Sequence, residues 1–330
     1  MIIVVGLTFT TIFDKESFRV IRENIVNLKF EYIALCVLII IAYFFIQGAY
    51  LKSIFHTLNQ HVTFFRSIYY AIVEFYFSGI TPSSTGGQPA QLYEMTRDKI
   101  PMRKSYIALM LSTIYFKLIL IILGIVVLVF KSDVIFDSMV IYRVCFFLGF
   151  TIDSLVVVLY ILLVFKQNLV ISIVKKIMNL LSKLKYLGKY TEKFDIDDFA
   201  KRYNDEIKFI GSHKKMVFFN FLFVFIQRLF LFSIAFVVYK AMGFSTYNYF
   251  DLLMIQVIAQ ISIEGVPIPG GAGVSEGILH NMFVILFASK LADVGMLLTR
   301  TFSFYLPLFT CGVVIMVTKI ISNNKKKANS

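Results

Sequence analysis

Two stretches of this 330-residue sequence place proline, paired glycines and short polar side chains inside apolar territory. The first reads SGITPSSTGGQPAQLYE from Ser78 to Glu94, and the second reads EGVPIPGGAGVSEG from Glu264 to Gly277. Proline removes a backbone donor and glycine tolerates positive φ, so neither stretch can run on as regular helix. A Gly-Gly pair leading into a helix presents unpaired N–H groups at a positive helix end, which suits an anion such as phosphate. Gly86 and Gly87 next to Pro82, and Gly270, Gly271 and Gly273 next to Pro269, have that pattern. Thr81, Ser83, Ser84, Thr85, Gln88 and Gln91 add neutral donors that could hold an anion without trapping it.

Basic residues embedded in apolar runs strengthen the expectation. Lys117 divides an otherwise uncharged run from Ser105 to Phe130, and a charge at a bilayer centre costs about 2.5–3.5 kcal/mol on insertion scales. It lies 30 residues after Gly87, and Arg300 lies 29 residues after Gly271, a match that suggests internal duplication. Arg228, beside Gln227, is the third such cation. The three are expected to neutralise an anionic group, although each could instead pair with Glu74, Asp153, Glu264 or Glu276. Glu264 and Glu276 flank the second stretch and His280 follows one helical turn later. They could bind a cationic group, relay protons, or satisfy Arg228 or Arg300. No third ligand accompanies His280, and Cys36, Cys145 and Cys311 are far apart without metal spacing, so neither a metal nor a cofactor is expected.

The elements that must position these residues are membrane helices. Of the residues 58% are hydrophobic and 16% charged, with a mean hydropathy of +0.78, which excludes a water-soluble domain. Apolar runs fall near 2–13, 32–51, 64–80, 105–130, 140–165, 216–242, 246–266, 278–289 and 295–318. Irregular backbone inside hydrocarbon survives only where it is buried in protein or lines a wet cavity, so both interrupted stretches should face a cavity. Paired interruptions in two halves point to a transporter-type site near the midplane. The fold class is therefore an all-α polytopic helix bundle with two broken or re-entrant helices.

One membrane domain is expected, with a first half at 28–165, a segment at 166–215, a second half at 216–320 and a basic tail at 321–330. Parallel and inverted halves are both compatible with residues 14–30, which hold four basic and three acidic residues; the inverted arrangement is favoured. Between Lys166 and Lys215 lie twelve Lys or Arg, which the positive-inside rule places in the cytoplasm together with the C-terminus. Within it, Leu169, Ile173, Val174, Ile177, Leu180, Leu181 and Leu184 recur at helical spacing, as in an interfacial amphipathic helix. The formal charge of +13 is read as affinity for anionic lipid headgroups; no nucleic-acid groove is expected.

TPSSTGGQPAQLY at Thr81 to Tyr93, PGGAGVSEG at Pro269 to Gly277, and the Arg300 helix with Leu306-Pro307 give the chain a familiar look. It resembles the lysylphosphatidylglycerol synthase transmembrane-region family, a flippase-like membrane domain found alone or joined to a soluble aminoacyl-transfer domain. Neutral Gln88 and Gln91 depart from the Pro-Gly-x-x-Gly-Glu pattern of many members. The resemblance implies handling of an anionic or aminoacylated phospholipid, or a polyprenyl-linked lipid, in a bacterial plasma membrane. It also implies a separate lipid-modifying enzyme as partner, and a homo-oligomer is compatible with it. The rivals are a phosphatidylglycerol lysyltransferase using charged transfer RNA and an ion-coupled solute transporter. No nucleotide-binding loop is present to drive pumping.

Overall fold

The computed structural model describes residues 29–81, 84–136, 139–166, 211–264, 274–286 and 289–328, with a few isolated positions between them. The apolar run at 2–13 and most of the basic segment, including its amphipathic stretch, lie outside the described residues. The elements are α1 (Phe30–Thr57), α2 (Phe64–Ile80), α3 (Gly87–Arg97), α4 (Met102–Phe130), α5 (Ser132–Phe136), α6 (Val140–Phe165), α7 (Lys214–Ala241), α8 (Tyr249–Glu264), α9 (Val274–Leu286), α10 (Ser289–Arg300), a π-helical turn (Thr301–Tyr305) and α11 (Leu306–Ala328). Among the described residues five helical stretches are long and apolar enough to cross a membrane: Phe30–Thr57, Met102–Phe130, Val140–Leu162, Lys214–Ala241 and Leu291–Ile321. At about 1.5 Å per residue, α3 with 11 residues reaches only about half of a hydrocarbon core roughly 30 Å thick. Large apolar side chains along α6, among them Val140, Ile141, Phe147, Leu148 and Leu155, are exposed, as a lipid-facing helix requires.

Helix ends recur at a fixed interval. α1 stops where Asn59 takes a left-handed backbone (φ 54°), with Asn59 N–H bonded to His56 O and Gln60 N–H to Phe55 O. α7 stops the same way at Gly243 (φ 86°), through Gly243 N–H to Lys240 O and Phe244 N–H to Tyr239 O. Each is a C-terminal cap that satisfies two carbonyls left over by the helix. α2 then opens on Thr63, whose hydroxyl accepts from Arg66 N–H, and α8 on Asn248, whose carbonyl oxygen accepts from Asp251 N–H. Asn59 and Gly243 are separated by the same 184 residues as Tyr43 and Gln227, which touch each other at the centre of α1 and α7.

The packing partners recur as well. α1 packs on α2 as α7 does on α8; α2 on α3 as α8 on α9; and α2 on α11 as α8 on α4. Gly124 of α4 sits under Ile261 of α8, and Gly312 of α11 sits under Tyr76 of α2. Among the described residues, α1–α4 and α7–α11 are thus two copies of one four-part unit, with α5 and α6 between them: a long helix, a half-crossing helix, a second half-crossing helix, and a long helix that is broken by the π turn in the second copy.

Contacts between the helices also fix the relative direction of the two repeats. Lys104 near the start of α4 donates to Leu58 O at the end of α1, 2.7 Å away, so α1 and α4 are antiparallel. Along α4, Lys117, Gly124 and Lys131 meet Glu264, Ile261 and Asp251 in descending order, so α8 is antiparallel to α4. α7 folds back on α8, with Ser233 against Tyr249. It follows that α7 is antiparallel to α1 and the repeats are inverted. One end of the bundle collects Lys104, Lys214, the ends of α6 and α11, and Arg66 with Arg97. The other holds Lys240 and the Lys131–Asp251 pair (2.7 Å), whose hydrogen bond raises the pKa of Lys131.

Close approach of α1 and α2 depends on Gly48, where a Cβ would stand 2.5 Å from Ile68 Cγ1 and 3.1 Å from its backbone nitrogen. Gly48→Leu should lower stability by about 1–3 kcal/mol, the usual cost of overpacking, read as an earlier thermal unfolding midpoint in detergent. An unchanged midpoint would show that this helix pair is looser than described.

Candidate functional site

Between the half-crossing helices lies a cavity of about 550 Å³, lined from both repeats. α2 and α3 form a hairpin that turns back at mid-depth. Its base is clamped by Arg66, which bonds Asp98 and reaches Glu94 Oε2 at 3.2 Å, and by Tyr70, whose hydroxyl donates to Asp98 at 2.5 Å. Its tip stands against the middle of α4, where Gln88 donates to Thr113. α3 begins at Gly87 because nothing larger fits: a Cβ there would be 2.0 Å from Ser78 Oγ and 2.7 Å from Glu74 O. Thr81 closes the turn, donating to Phe77 O (2.6 Å) and accepting from Gly86 N–H (2.8 Å). The expected anion-binding N–H of Gly86 is therefore already occupied, and Ser84, Thr85, Gln88 and Gln91 supply the polar lining at this tip.

The second tip is described only at its rims. Residues 265–273, which include Pro269, Gly270, Gly271 and Gly273, lie outside the described residues, as do Pro82, Ser83 and the side chain of Glu276. α8 delivers Gln256, Gln260 and Glu264 to the cavity, and α9 delivers Leu279. His280 faces Asp293 of α10 at 2.7 Å, and no group of three metal-binding side chains is found among the described residues.

All three embedded cations line this one cavity, yet their surroundings differ. Lys117 Nζ lies 2.6 Å from Asp153 Oδ1 and 2.7 Å from Glu264 Oε2, so it is already counterbalanced. Arg228 lies over the ring of Phe116 at 4.0 Å and that of Tyr43 at 5.5 Å, and forms no ion pair among the described residues. Arg300, 8% exposed, stacks on Phe304 at 4.3 Å. Glu74, also on the cavity lining, accepts from Gln47 Nε2 (3.1 Å) and Ser78 Oγ (3.2 Å). Gln47 in turn accepts from Gln227 at 3.0 Å.

The cavity therefore carries three cations and two carboxylates on its walls, Glu74 and Glu264, with Asp153 behind Lys117. The sequence offered Glu264 either as a counter-ion or as a binder of a cationic group, and the lining holds both signs of charge. Glu74 was named there only as a counter-ion. Its place four residues before Ser78, at the entry to the first interrupted stretch, is the signal that marks it as a wall residue.

Fold and cavity together define a polytopic membrane protein of inverted repeats whose polar site lies at mid-depth. The family model of the lysylphosphatidylglycerol synthase TM region matches residues 1–311, and the chain belongs to that family. No curated protein matches it.

Removing a single partner from a buried ion cluster costs more than the cluster contributes, because charge is stranded without compensation. Lys117→Met, which leaves Asp153 and Glu264 facing each other, should destabilise the fold by about 3–5 kcal/mol. Lys117→Met combined with Asp153→Asn should recover part of the loss in thermal unfolding. Equal losses in both would show that the carboxylates are not held by Lys117.

Proposed function

We propose that this chain is a flippase-like carrier that binds a phospholipid headgroup in the mid-depth cavity and moves it between leaflets while the acyl chains stay in lipid. The observation that carries the reading is the two-signed wall between two inverted, half-crossing hairpins. Arg228 and Arg300, with the positive start of α3, suit a phosphate. Glu74, oriented by Gln47 and Ser78, suits an ammonium group. A headgroup with both, such as an aminoacylated phosphatidylglycerol, matches the wall, and membership in the family supports a lipid of that class. The inverted repeats supply the symmetry on which alternating access is built. The positive-inside rule, applied to the basic sequence between α6 and α7, orients the end with Lys104 and Lys214 toward the cytoplasm of a bacterial plasma membrane.

The family's name favours one rival, transfer of lysine onto phosphatidylglycerol. Vesicles reconstituted with fluorescent phosphatidylglycerol and its lysylated form separate the two: a carrier redistributes lipid between leaflets unchanged, whereas a transferase converts one lipid to the other given charged transfer RNA. Arg228→Gln should slow exchange of both lipids about tenfold or more, in line with a charge-assisted hydrogen bond of about 1.5–3 kcal/mol. Glu74→Gln should slow the lysylated lipid selectively. Exchange that is absent, or indifferent to both substitutions, contradicts the proposal.

A further inference from the structure

The Asp153–Lys117–Glu264 cluster holds one ammonium and two carboxyl groups at mid-depth. It joins three elements: α4 of the first repeat, α6, and the end of α8 in the second repeat. Asp153 is 1% exposed, and its second oxygen, Oδ2, has no hydrogen-bond partner among the described residues. Glu264 is partly exposed to the cavity and its other oxygen accepts from Gln260 at 3.0 Å. With both carboxyl groups ionised the cluster carries one net negative charge, and a low-dielectric interior disfavours such an excess. A bound metal cation is a poor remedy, because Lys117 Nζ already stands between the two carboxylates where a metal would sit. A proton takes up no such space.

We propose that this cluster is a proton-binding site that gates the carrier. The proposal rests on the lipid-exchange reading above. Taking up one proton on Glu264, the member of the pair that lines the cavity, neutralises the cluster, leaves Lys117 paired with Asp153, and weakens the bridge from Lys117 to Glu264. That bridge ties the two repeats together at the level of the cavity, so its release frees the end of α8. Losing the proton restores the clamp. The charged and titratable groups around it are few. Arg228 of α7 shares the Phe116 ring with Lys117, at 4.0 and 5.3 Å. Glu74 of α2 and Arg300 of α10 line the same cavity. Tyr142 of α6 is engaged by Asn281 of α9 (2.8 Å), and His280 of α9 is engaged by Asp293 of α10. Tyr50 of α1 and Tyr115 of α4 are buried in the core, and Lys131 with Asp251 lies at the end of the bundle. Arg228 and Arg300 favour ionised carboxyl groups, so they set the acidity at which the proton binds; Glu74 opposes them.

The test has two readouts. In vesicles carrying the full chain and fluorescent phosphatidylglycerol, exchange should rise on acidification, by up to about tenfold per pH unit, the limit for one proton. Glu264→Gln should be fast and flat with pH, because an amide cannot hold the negative end of the clamp. Asp153→Asn, which leaves Lys117 and Glu264 as a neutral pair, should be slow and flat. Wild-type exchange that ignores pH, or a wild-type slope retained in both variants, overturns the proposal; so does exchange that follows a sodium gradient and not a proton gradient. The second readout needs no transport: infrared difference spectra of detergent-solubilised protein across the same pH range should show a carboxylic-acid stretch that appears on acidification. That band should be lost in Glu264→Gln or Asp153→Asn. Its absence in the wild type overturns the site, whereas its presence without any lipid exchange supports the site and contradicts the carrier reading.

Discussion

Hydrocarbon cannot hydrate a backbone N–H or C=O group, and the rest of this structure follows from that. Helix breaks at the Pro/Gly stretches leave such groups free at mid-depth, and each break must be answered by protein or by water. The first is answered by protein and by an open cavity. Thr81 takes up the Gly86 N–H and a Phe77 carbonyl, Gln88 reaches Thr113, and the remaining polar groups open onto a cavity. Once that cavity exists, charged side chains from α2, α4, α7, α8 and α10 can stand around it at a cost the membrane would otherwise forbid.

Inversion of the repeats makes one cavity out of two half-crossing hairpins. A long helix caps itself at Asn59 or Gly243, a half-crossing helix starts on Thr63 or Asn248, and each hairpin packs on the last long helix of the other repeat through a glycine, Gly124 or Gly312. α1 and α7 cross at Tyr43 and Gln227, and the same contact passes through Gln47 to orient Glu74. Symmetry, packing and the polar wall therefore share residues, so a change at the centre of α1 or α7 disturbs all three.

Much of this was legible in the sequence, and the reasons are local. Long uncharged runs set the crossing helices, and proline with paired glycine set the breaks, because both signals depend only on neighbouring residues. The caps that reveal the repeat were legible in principle, since Asn59 and Gly243 fall at one interval. Asp153 and Glu264 were two of four candidate partners for Lys117, and the choice among the four was not legible, because these two lie 36 and 147 residues away and only the antiparallel course of α4 against α6 and α8 brings them together. For the same reason the balance of charge around the cavity was not legible: counting cations on helices does not reveal which carboxylates fold back onto them. The Arg66–Asp98 clamp joins the two ends of one hairpin and likewise depends on its closure.

The most direct measurement is water accessibility at the first tip. Ser84→Cys is made in a chain whose Cys36, Cys145 and Cys311 are replaced by alanine, and labelling in vesicles is compared between a charged, membrane-impermeant thiol reagent and a lipid-soluble one. A hydrated cavity at mid-depth predicts rapid reaction with the charged reagent and protection by added headgroup analogue such as glycerophosphate. Reaction with the lipid-soluble reagent alone would place the tip in dry protein or lipid and contradict the account.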